Sequence, residues 1–276
     1  AKALMAYVAY AHENGIGLFF GEGVSQDAMN SEVMAYYLSQ GGLGLPNRDY
    51  YFNTDERTTK IRNAYPAYVA KMLSLMGNDT TAAKTKAAAI IAIETKLAQA
   101  SRKLEDLRDP YKNYNKMAIS QLKTMSPTID WPATLQQMGV KSVDSVIVGQ
   151  PEFYKQLDKV ISTENLQNLK DYMAFHFVRS MAGYLSKPFV DANFDFYSKM
   201  IRGAQAQKPR WKRALSAEEG AMGEALGQLF AKEYFNEKAK KRYEDMVENV
   251  RSAYKARIEK LDWMTDSTKK KALAKL

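Results

Sequence analysis

Apolar residues recur at helical spacing along most of the chain. The opening run, residues 1–14, places them at i, i+3, i+4 and i+7, which is typical of a helix with one buried face. The strongest helix is predicted over residues 80–107, because that run is rich in Ala, Lys and Glu and has an apolar side from Ile90 to Leu104. Further helices are predicted over 57–76 (interrupted or bent at Pro66), 151–162, 164–185, 187–202, 209–234 and 236–261. The pattern predicts a mainly α, multihelical protein.

A minor β component is predicted near the start of the chain. Residues 15–24 are glycine-rich with three consecutive apolar residues, and residues 32–40 are rich in Val, Met and Tyr. We expect the two segments to pair as a short hairpin or to lie as edge strands. Residues 145–148 could form another short strand, and the proline-broken stretch 109–132 is expected to hold short helices.

Polar residues mark the starts of several predicted helices. Thr163 is expected to cap the helix over 164–185, Asn236 the last long helix, and Thr265 or Asp266 a final one. That final helix has only begun when the sequence ends, with no Gly or Pro stop signal, and the first residue is alanine rather than methionine. We therefore expect the chain to be a segment of a larger protein.

The composition is that of an ordinary globular protein. Of 276 residues, 46% are hydrophobic and 26% charged, which excludes a disordered chain, a collagen and a disulfide-rich miniprotein. No apolar run approaches the roughly 20 residues that span a bilayer. Because cysteine is absent, a disulfide, a cysteine metal site and a cysteine nucleophile are all excluded.

The net charge of +9 is concentrated in the second part of the chain. Residues 1–100 hold equal numbers of basic and acidic side chains, so the whole excess lies in 101–276. Within it, residues 199–213 carry several Lys and Arg, one Trp and no acidic residue. This segment could bind nucleic acid, form a solvated helix face or make a contact between domains. Nucleic acid is not expected, because a dedicated binder shows a stronger and more continuous basic excess.

No complete catalytic or metal-binding motif occurs in the sequence. A zinc hydrolase helix commonly carries His-Glu-x-x-His, which places both imidazoles on one face. His12-Glu13 lacks the second histidine and His176 lies in an apolar helix, so both histidines are expected to be structural. Glycines at 21–23 and 41–44 lack the rest of a nucleotide-binding motif and are expected to form turns. A Ser-His-Asp triad stays open on composition, although no Gly-x-Ser-x-Gly elbow occurs.

Several short strings resemble, in family order, signatures of the neprilysin family of zinc endopeptidases, which includes endothelin-converting enzymes and bacterial oligopeptidases. Residues 42–51, Gly-Leu-Gly-Leu-Pro-Asn-Arg-Asp-Tyr-Tyr, are similar to its Gly-Leu-Pro-x-Arg-Asp-Tyr-Tyr signature. The other strings are Asp-Pro at 109–110, Tyr-Asn-Lys-Met at 114–117, Asp-Trp at 130–131, Pro-Arg-Trp-Lys-Arg at 209–213, Leu-Gly-Gln-Leu-Phe at 226–230 with Tyr-Phe at 234–235, and Leu-Asp-Trp-Met-Thr-Asp-Ser-Thr-Lys-Lys at 261–270. Each string is weak alone, whereas the ordered set is specific.

The resemblance implies a two-lobed zinc endopeptidase as the parent protein. In that family the His-Glu-x-x-His helix, the glutamate that completes the zinc site and the substrate strand follow the Thr-Lys pattern, so zinc is expected in the parent and none in this chain. No catalytic and no metal residue is assigned here. Residues 1–235 are expected to form a helical cap that encloses and size-filters peptide substrates, and residues 236–276 to be linker helices toward the catalytic domain.

The resemblance also suggests roles for five side chains. Arg48 and Asp49 are expected to form a structural ion pair. Arg210, Trp211 and Arg213 are expected to pack against the catalytic domain of the same protein, which is the expected partner.

Alanine at position 214 stands where the family has a cysteine, so the disulfide of animal members cannot form. This favours a bacterial-type member. The resemblance separately leads us to expect a protein that is periplasmic, at the cell surface or secreted, with any membrane anchor outside this segment. The alternative function is a stand-alone helical binding or scaffold module that uses the basic face.

Overall fold

Twelve α-helices make up most of the computed structural model, which describes residues 1–141 and 143–276. The helices are α1 (Lys2–Glu13), α2 (Asp49–Phe52), α3 (Glu56–Leu75), α4 (Thr80–Ala100), α5 (Ile119–Met125), α6 (Trp131–Gln137), α7 (Pro151–Thr163), α8 (Leu166–Met181), α9 (Lys187–Asn193), α10 (Arg210–Tyr234), α11 (Glu237–Glu259) and α12 (Asp266–Lys275). Two short 3-10 turns, Asp106–Arg108 and Ala182–Tyr184, and a π-helical segment, Phe194–Ile201, add to these. The mainly α prediction is confirmed.

The contacts divide the chain into two compact units, Ala1–Ala206 and Gln207–Leu276. The first unit contains α1 to α9 and the sheet, and the second contains α10 to α12. The boundary expected after residue 235, between a cap and linker helices, stays a prediction. In the described parts of the chain, no helix is both long enough and apolar enough to cross a membrane.

The first unit holds a small mixed sheet. Its strands are β1 (Phe20–Asp27), β2 (Asn30–Gln40), β3 (Asn115–Ala118) and β4 (Ser145–Val148), in the order β1-β2-β4-β3. β1 and β2 form an antiparallel hairpin, so of the two expected arrangements the hairpin is the one found. β4 confirms the strand predicted over 145–148 and runs parallel to β2. β3 was not predicted, because it is held only by its antiparallel pairing with β4, a partner about 30 residues further along the chain.

The helices α3 and α4 pack side by side and supply much of the core of the first unit. Each begins at an aspartate whose side chain accepts hydrogen bonds from the first turn: Asp55 from Thr58 N, and Asp79 from Thr81 N and Ala82 N. α3 continues through Pro66 to Leu75, so the helix is not interrupted there. The buried faces that meet in this region carry Ile61, Tyr65, Val69, Met72, Ile90, Ile93 and Leu97.

The strongest predicted helix ends earlier than expected. α4 stops at Ala100 rather than at residue 107, and Leu104 is half exposed instead of lying on the buried side. The physical reason is the set of contacts made by Arg102. Its backbone N–H donates to Gln40 Oε1 at 2.7 Å, and its Nη2 donates to Glu152 Oε2 at 3.0 Å. These tertiary bonds replace the helical bonds that the local composition favours.

Two other helix boundaries also differ from the sequence pattern. Thr163 is the last residue of α7, and Asn165 caps α8 by accepting from Gln167 N at 2.7 Å. The Thr163 hydroxyl instead donates to the carbonyl of Lys159, one turn earlier in α7, so it is not available to cap α8. The helix predicted over 187–202 is α9 followed by the π-helical segment 194–201, a change of winding that sequence periodicity does not reveal.

The second unit consists of three helices with little protection from solvent. No residue of α10, α11 or α12, all of which the structure describes, is buried. Asn236 caps α11 by accepting from Ala239 N at 2.9 Å, and Thr265 caps α12, as predicted. Within α10 the backbone departs from helical geometry at Met222.

Candidate functional site: a glycine-rich loop and an arginine-lined cleft

The segment 41–48 connects β2 to α2 and lies against buried aromatic side chains. Gly42 has φ +72°, and a Cβ there would lie 2.6 Å from the Tyr172 hydroxyl oxygen. A Cβ on Gly44 would lie 1.7 Å from the Tyr65 hydroxyl oxygen. Glycine is therefore required at position 42 by backbone conformation and at position 44 by close approach. The expected turn is present, and backbone groups of Gly44 and Leu45 within it form hydrogen bonds to side chains of a buried polar cluster.

That cluster is centred on Glu94, a fully buried carboxylate in the middle of α4. The Tyr51 hydroxyl donates to Glu94 Oε2 at 2.7 Å, and the Tyr65 hydroxyl donates to Oε1 at 2.8 Å. His176 Nε2 lies 2.8 Å from the same Oε1 atom. A buried carboxylate is stable only when it is fully hydrogen-bonded, and Glu94 meets this condition with three partners from three different helices.

The protonation states in this cluster follow from burial. Burial lowers the pKa of His176 below its ordinary 6.5, so the imidazole is neutral at pH 7. A neutral imidazole that faces a carboxylate donates through the nearer nitrogen, here Nε2. Burial raises the pKa of Tyr51 and of Tyr65 well above 10.0, and the Glu94 charge raises both further. Both phenols therefore keep their protons and act as donors to Glu94.

The same residues fix the glycine-rich loop. The Tyr51 oxygen accepts from Gly44 N and Leu45 N, both at 3.2 Å, while its hydrogen points to the Glu94 carboxylate. From the other side, the Tyr197 hydroxyl donates to Gly44 O at 2.6 Å, and Arg179 Nη1 lies 3.4 Å from that oxygen. The loop is thus bonded to α2, α8 and the π-helical segment at once.

Beside the loop lies a cleft of about 710 Å³, here called the arginine cleft. It is lined by Pro46, Tyr50, Arg57, Arg179, Ser180, Asn193, Tyr197, Ile201 and Arg202. Three guanidinium groups face this space, and the lining as the structure describes it contains no carboxylate. Such a surface is suited to a negatively charged group.

Arg48 and Asp49 lie at the start of α2, next to the loop. Arg48 Nη1 is 3.5 Å from Asp49 Oδ1, and the guanidinium also lies 5.1 Å from the centre of the Phe52 ring. Both side chains are about one quarter exposed: 23% for Arg48 and 25% for Asp49. The distance is compatible with the expected ion pair, and the structural role assigned to that pair stays a prediction.

Arg210, Trp211 and Arg213 lie in the first turns of α10, in the second unit. The Trp211 side chain is 64% exposed, and Lys212 Nζ lies 5.2 Å from its ring centre. The expected packing of these side chains against a catalytic domain stays a prediction.

Both histidines are buried and hydrogen-bonded within the first unit. His12 Nε2 accepts from Leu18 N at 3.0 Å, and its ring stacks on Phe20 with centroids 4.6 Å apart. His176 is bonded to Glu94, as described above. These contacts confirm that the histidines have structural partners. Within the described residues, no group of three or more His, Cys, Asp or Glu side chains could hold a metal ion.

The sequence pattern did not identify the polar cluster or the arginine cleft. One signal was present: Glu94 interrupts the apolar side of α4 between Ile90 and Leu97, where a charged residue needs buried partners. No comparable signal marked the cleft. Its arginines come from α3, α8 and the residue after the π-helical segment, and only the tertiary fold brings them together.

The whole sequence, residues 1–276, matches the N-terminal model of a family described as peptidase family M13. The chain belongs to this family. It is 30% identical over 267 residues to neprilysin-3 of Drosophila melanogaster and 31% identical over 262 residues to endothelin-converting enzyme 1 of Homo sapiens. In both cases the match covers 93% of this chain and 34% of the relative. The M13 chain thus spans about a third of the length of these curated relatives.

Solved structures show the same relationship. The zinc metalloprotease Zmp1 of Mycobacterium tuberculosis, solved with an inhibitor, matches with a TM-score of 0.89 and 32% identity over 98% of this chain and 41% of its own. PepO of Lactobacillus rhamnosis matches with a TM-score of 0.85 at 19% identity, over 99% of this chain and 43% of its own, which shows the shared fold. The resemblance to neprilysin-like peptidases drawn from the short sequence strings is therefore confirmed.

Proposed function

We propose that this M13 chain is the non-catalytic, substrate-enclosing portion of a zinc endopeptidase, and that it limits the size of the peptides that reach the catalytic site. One observation carries the proposal. The chain matches the N-terminal family model from end to end, while it covers only 34% of curated peptidase relatives such as endothelin-converting enzyme 1. Zinc and the catalytic groups belong, in this proposal, to the remaining part of the parent protein.

The exposed apolar residues of the second unit support a partner domain. Helices α10, α11 and α12 contain no buried residue, and their large apolar side chains are open to solvent. Strongly exposed apolar side chains of these helices are Trp211, Leu229, Phe230, Tyr234, Tyr243 and Tyr254, and Trp263 is exposed between α11 and α12. Helices in proteins are stabilised mainly by burying an apolar face. In the proposal, the catalytic domain of the same protein covers these side chains.

The first turn of α10 supports the same partner on electrostatic grounds. Arg210, Lys212 and Arg213 lie where the helix dipole is positive, so their charges are unfavourable there in isolation. An acidic surface that packs against this turn would remove the repulsion. We therefore assign these three residues and Trp211 to the contact with the catalytic domain.

The proposal includes a location outside the cytoplasm. Alanine at position 214 replaces the cysteine expected in animal relatives, which supports a bacterial-type member. The location in the periplasm, at the cell surface or in the medium rests on the resemblance to the neprilysin family and not on this residue. Fractionation of the native host, with detection by an antibody raised against this chain, tests this part separately. Recovery with cytoplasmic markers would contradict it.

Peptide cleavage as a function of peptide length tests the central role. The parent protein is compared with this chain alone, using quenched fluorescent peptides of increasing length and a folded protein that contains the same cleavable sequence. We expect the parent to cleave short peptides, to lose activity with a zinc chelator and to spare the folded substrate. This chain alone should cleave none of them. Equal cleavage of short peptides and of the folded protein by the parent would contradict size filtering, and chelator-sensitive cleavage by a pure sample of this chain would contradict its non-catalytic role.

A further inference from the structure

The arginine cleft is lined by three arginines and, among the described lining residues, by no carboxylate. None of the ion pairs found among the described residues involves Arg57, Arg179 or Arg202. Glu56 and Asp195 line an adjoining hollow that shares Arg57 with the cleft, and the buried Glu94 carboxylate stabilises the charge of Arg179 from behind the lining. Because, within residues 1–141 and 143–276, no carboxylate lines the cleft itself and none of the three arginines forms an ion pair, an anion that enters the cleft meets a net positive surface.

The three arginines are positioned by the protein and keep donors free. Arg57 Nη2 donates to the carbonyl of Ile201 at 3.0 Å, and Arg202 Nη2 donates to Ser198 Oγ at 2.8 Å. Arg179 Nη1 donates to the Tyr197 hydroxyl at 3.1 Å. Each contact occupies one nitrogen, and a guanidinium carries five N–H donors. The Arg179 Nε atom is buried and has no hydrogen-bond partner in the part of the chain that the structure describes.

The π-helical segment gives this cleft its shape. Residues 194–201 carry Tyr197 and Ile201 into the lining, and Arg202 follows the segment directly. π-helical turns are rare and occur frequently at functional sites, because the wider winding re-aims side chains at a cost in helix stability. Here the segment directs an aromatic ring, an aliphatic side chain and a guanidinium toward the same space.

We propose that the arginine cleft is a subsite for a peptide carboxylate. A guanidinium binds a carboxylate through two parallel N–H···O bonds, and two or three guanidiniums can share its two oxygens. The volume of about 710 Å³ lies within the range of ligand pockets, so the cleft accommodates residues next to the carboxylate as well. Tyr50, Tyr197 and Ile201 supply apolar contact for those residues. This assignment rests on the proposed role in a peptidase, because that role makes peptides the available carboxylates.

The carboxylate has two sources in a peptide, the C-terminus and an acidic side chain. Isothermal titration calorimetry with this chain separates them by four probes. These are an acetylated alanine peptide with a free C-terminus, the same peptide as an amide, an amide with one internal glutamate, and inorganic phosphate. We expect one binding site with a dissociation constant of about 1 mM or tighter for at least one carboxylate peptide, and no heat from the neutral amide.

Two substitutions locate the binding in the cleft. Arg202→Gln and Arg57→Gln each remove one positive charge from the cleft, and Arg202 is an exposed side chain. Each variant is expected to bind the carboxylate peptide about tenfold more weakly, as for the loss of one charge-assisted hydrogen bond. Arg108→Gln is the matched control, because Arg108 is exposed and does not line the cleft. It should bind like the unaltered chain. Circular dichroism confirms that each variant is folded before titration.

The titrations distinguish a carboxylate subsite from non-specific binding. Binding of the free C-terminus alone, or of the internal glutamate alone, supports the subsite and identifies its source. The carboxylate subsite would be overturned if the neutral amide bound as tightly as the carboxylate peptides, or if phosphate alone bound. It would also be overturned if Arg108→Gln weakened binding as much as the two cleft substitutions do. None of these results bears on size filtering by the parent protein, so the subsite can fail while the proposed function stands.

Discussion

Replacing Glu94 by alanine removes the acceptor that three buried groups share. Tyr51, Tyr65 and His176 would each keep a donor with no partner in a site from which water is excluded. Leaving one buried donor unsatisfied costs about 1–3 kcal/mol, and removing one member of a buried charged network costs about 3–5 kcal/mol. Because relaxation of the tyrosines recovers part of the loss, we expect Glu94→Ala to lower the free energy of unfolding by about 4 kcal/mol.

A shape-conserving variant separates the hydrogen bonds from the lost volume. Glu94→Gln keeps the size of the side chain but replaces one acceptor oxygen by an NH₂ group that faces a donor. We expect a loss of about 2 kcal/mol, since one partner is left unsatisfied. The control is Glu105→Ala, because Glu105 is an exposed glutamate, 68% accessible, whose removal should change the stability by less than about 0.5 kcal/mol.

Urea unfolding followed by tryptophan fluorescence measures these losses of stability in the first structural unit, residues 1–206, which contains Glu94. Trp131 is fully buried in the first unit, whereas Trp211 and Trp263 are exposed in the second, so the blue-shifted emission reports the unit that contains Glu94. A fall of less than about 1 kcal/mol for Glu94→Ala would refute the reasoning, because the cost of even one unsatisfied donor would then be missing.

Three further outcomes are expected. Gly44→Ala should lower the apparent Tm of the first unit by several degrees in a thermal melt, because the added Cβ would lie 1.7 Å from the Tyr65 hydroxyl oxygen. Gly23→Ala is the control, since a Cβ there would have no atom within 4 Å. Equal shifts in Tm for the two variants would contradict the close packing at Gly44. Burial holds the pKa of His176 in the folded chain below the ordinary histidine value of 6.5. At pH values below 6.5 the unfolded chain therefore binds more protons than the folded chain. Stability should therefore be fully present above pH 6.5 and decrease as the pH falls below it, and a His176→Gln variant with an unchanged slope in urea titrations between pH 7 and 5 would contradict this. Asp79→Ala should cost about 1 kcal/mol in urea unfolding through loss of the α4 cap, and no change would show that the cap is not used.

The helices and the hairpin could be predicted because each is encoded by local pattern. Apolar spacing defines α1 and α4, and the Val- and Tyr-rich run before the glycine-rich loop gives β2. The errors arose where distant contacts override that pattern. The bonds from Arg102 to Gln40 and Glu152 end α4 before residue 107, and pairing with β4 creates β3.

The candidate site was less accessible to sequence reasoning for the same reason. Glu94 could have been noticed as a charge on a buried face, but its partners Tyr51 and His176 are 43 and 82 residues away. The arginine cleft joins Arg57 to the carbonyl of Ile201 across 144 residues. The ordered family strings indicated a zinc peptidase, but they contain none of the three cleft arginines.

The most direct measurement for the central claim is to sequence the parent gene beyond the codon for Leu276. If this M13 chain is the enclosing portion of a zinc endopeptidase, the downstream frame encodes a His-Glu-x-x-His helix and a later glutamate ligand. A stop codon soon after Leu276, or a downstream domain without a zinc motif, would contradict the account.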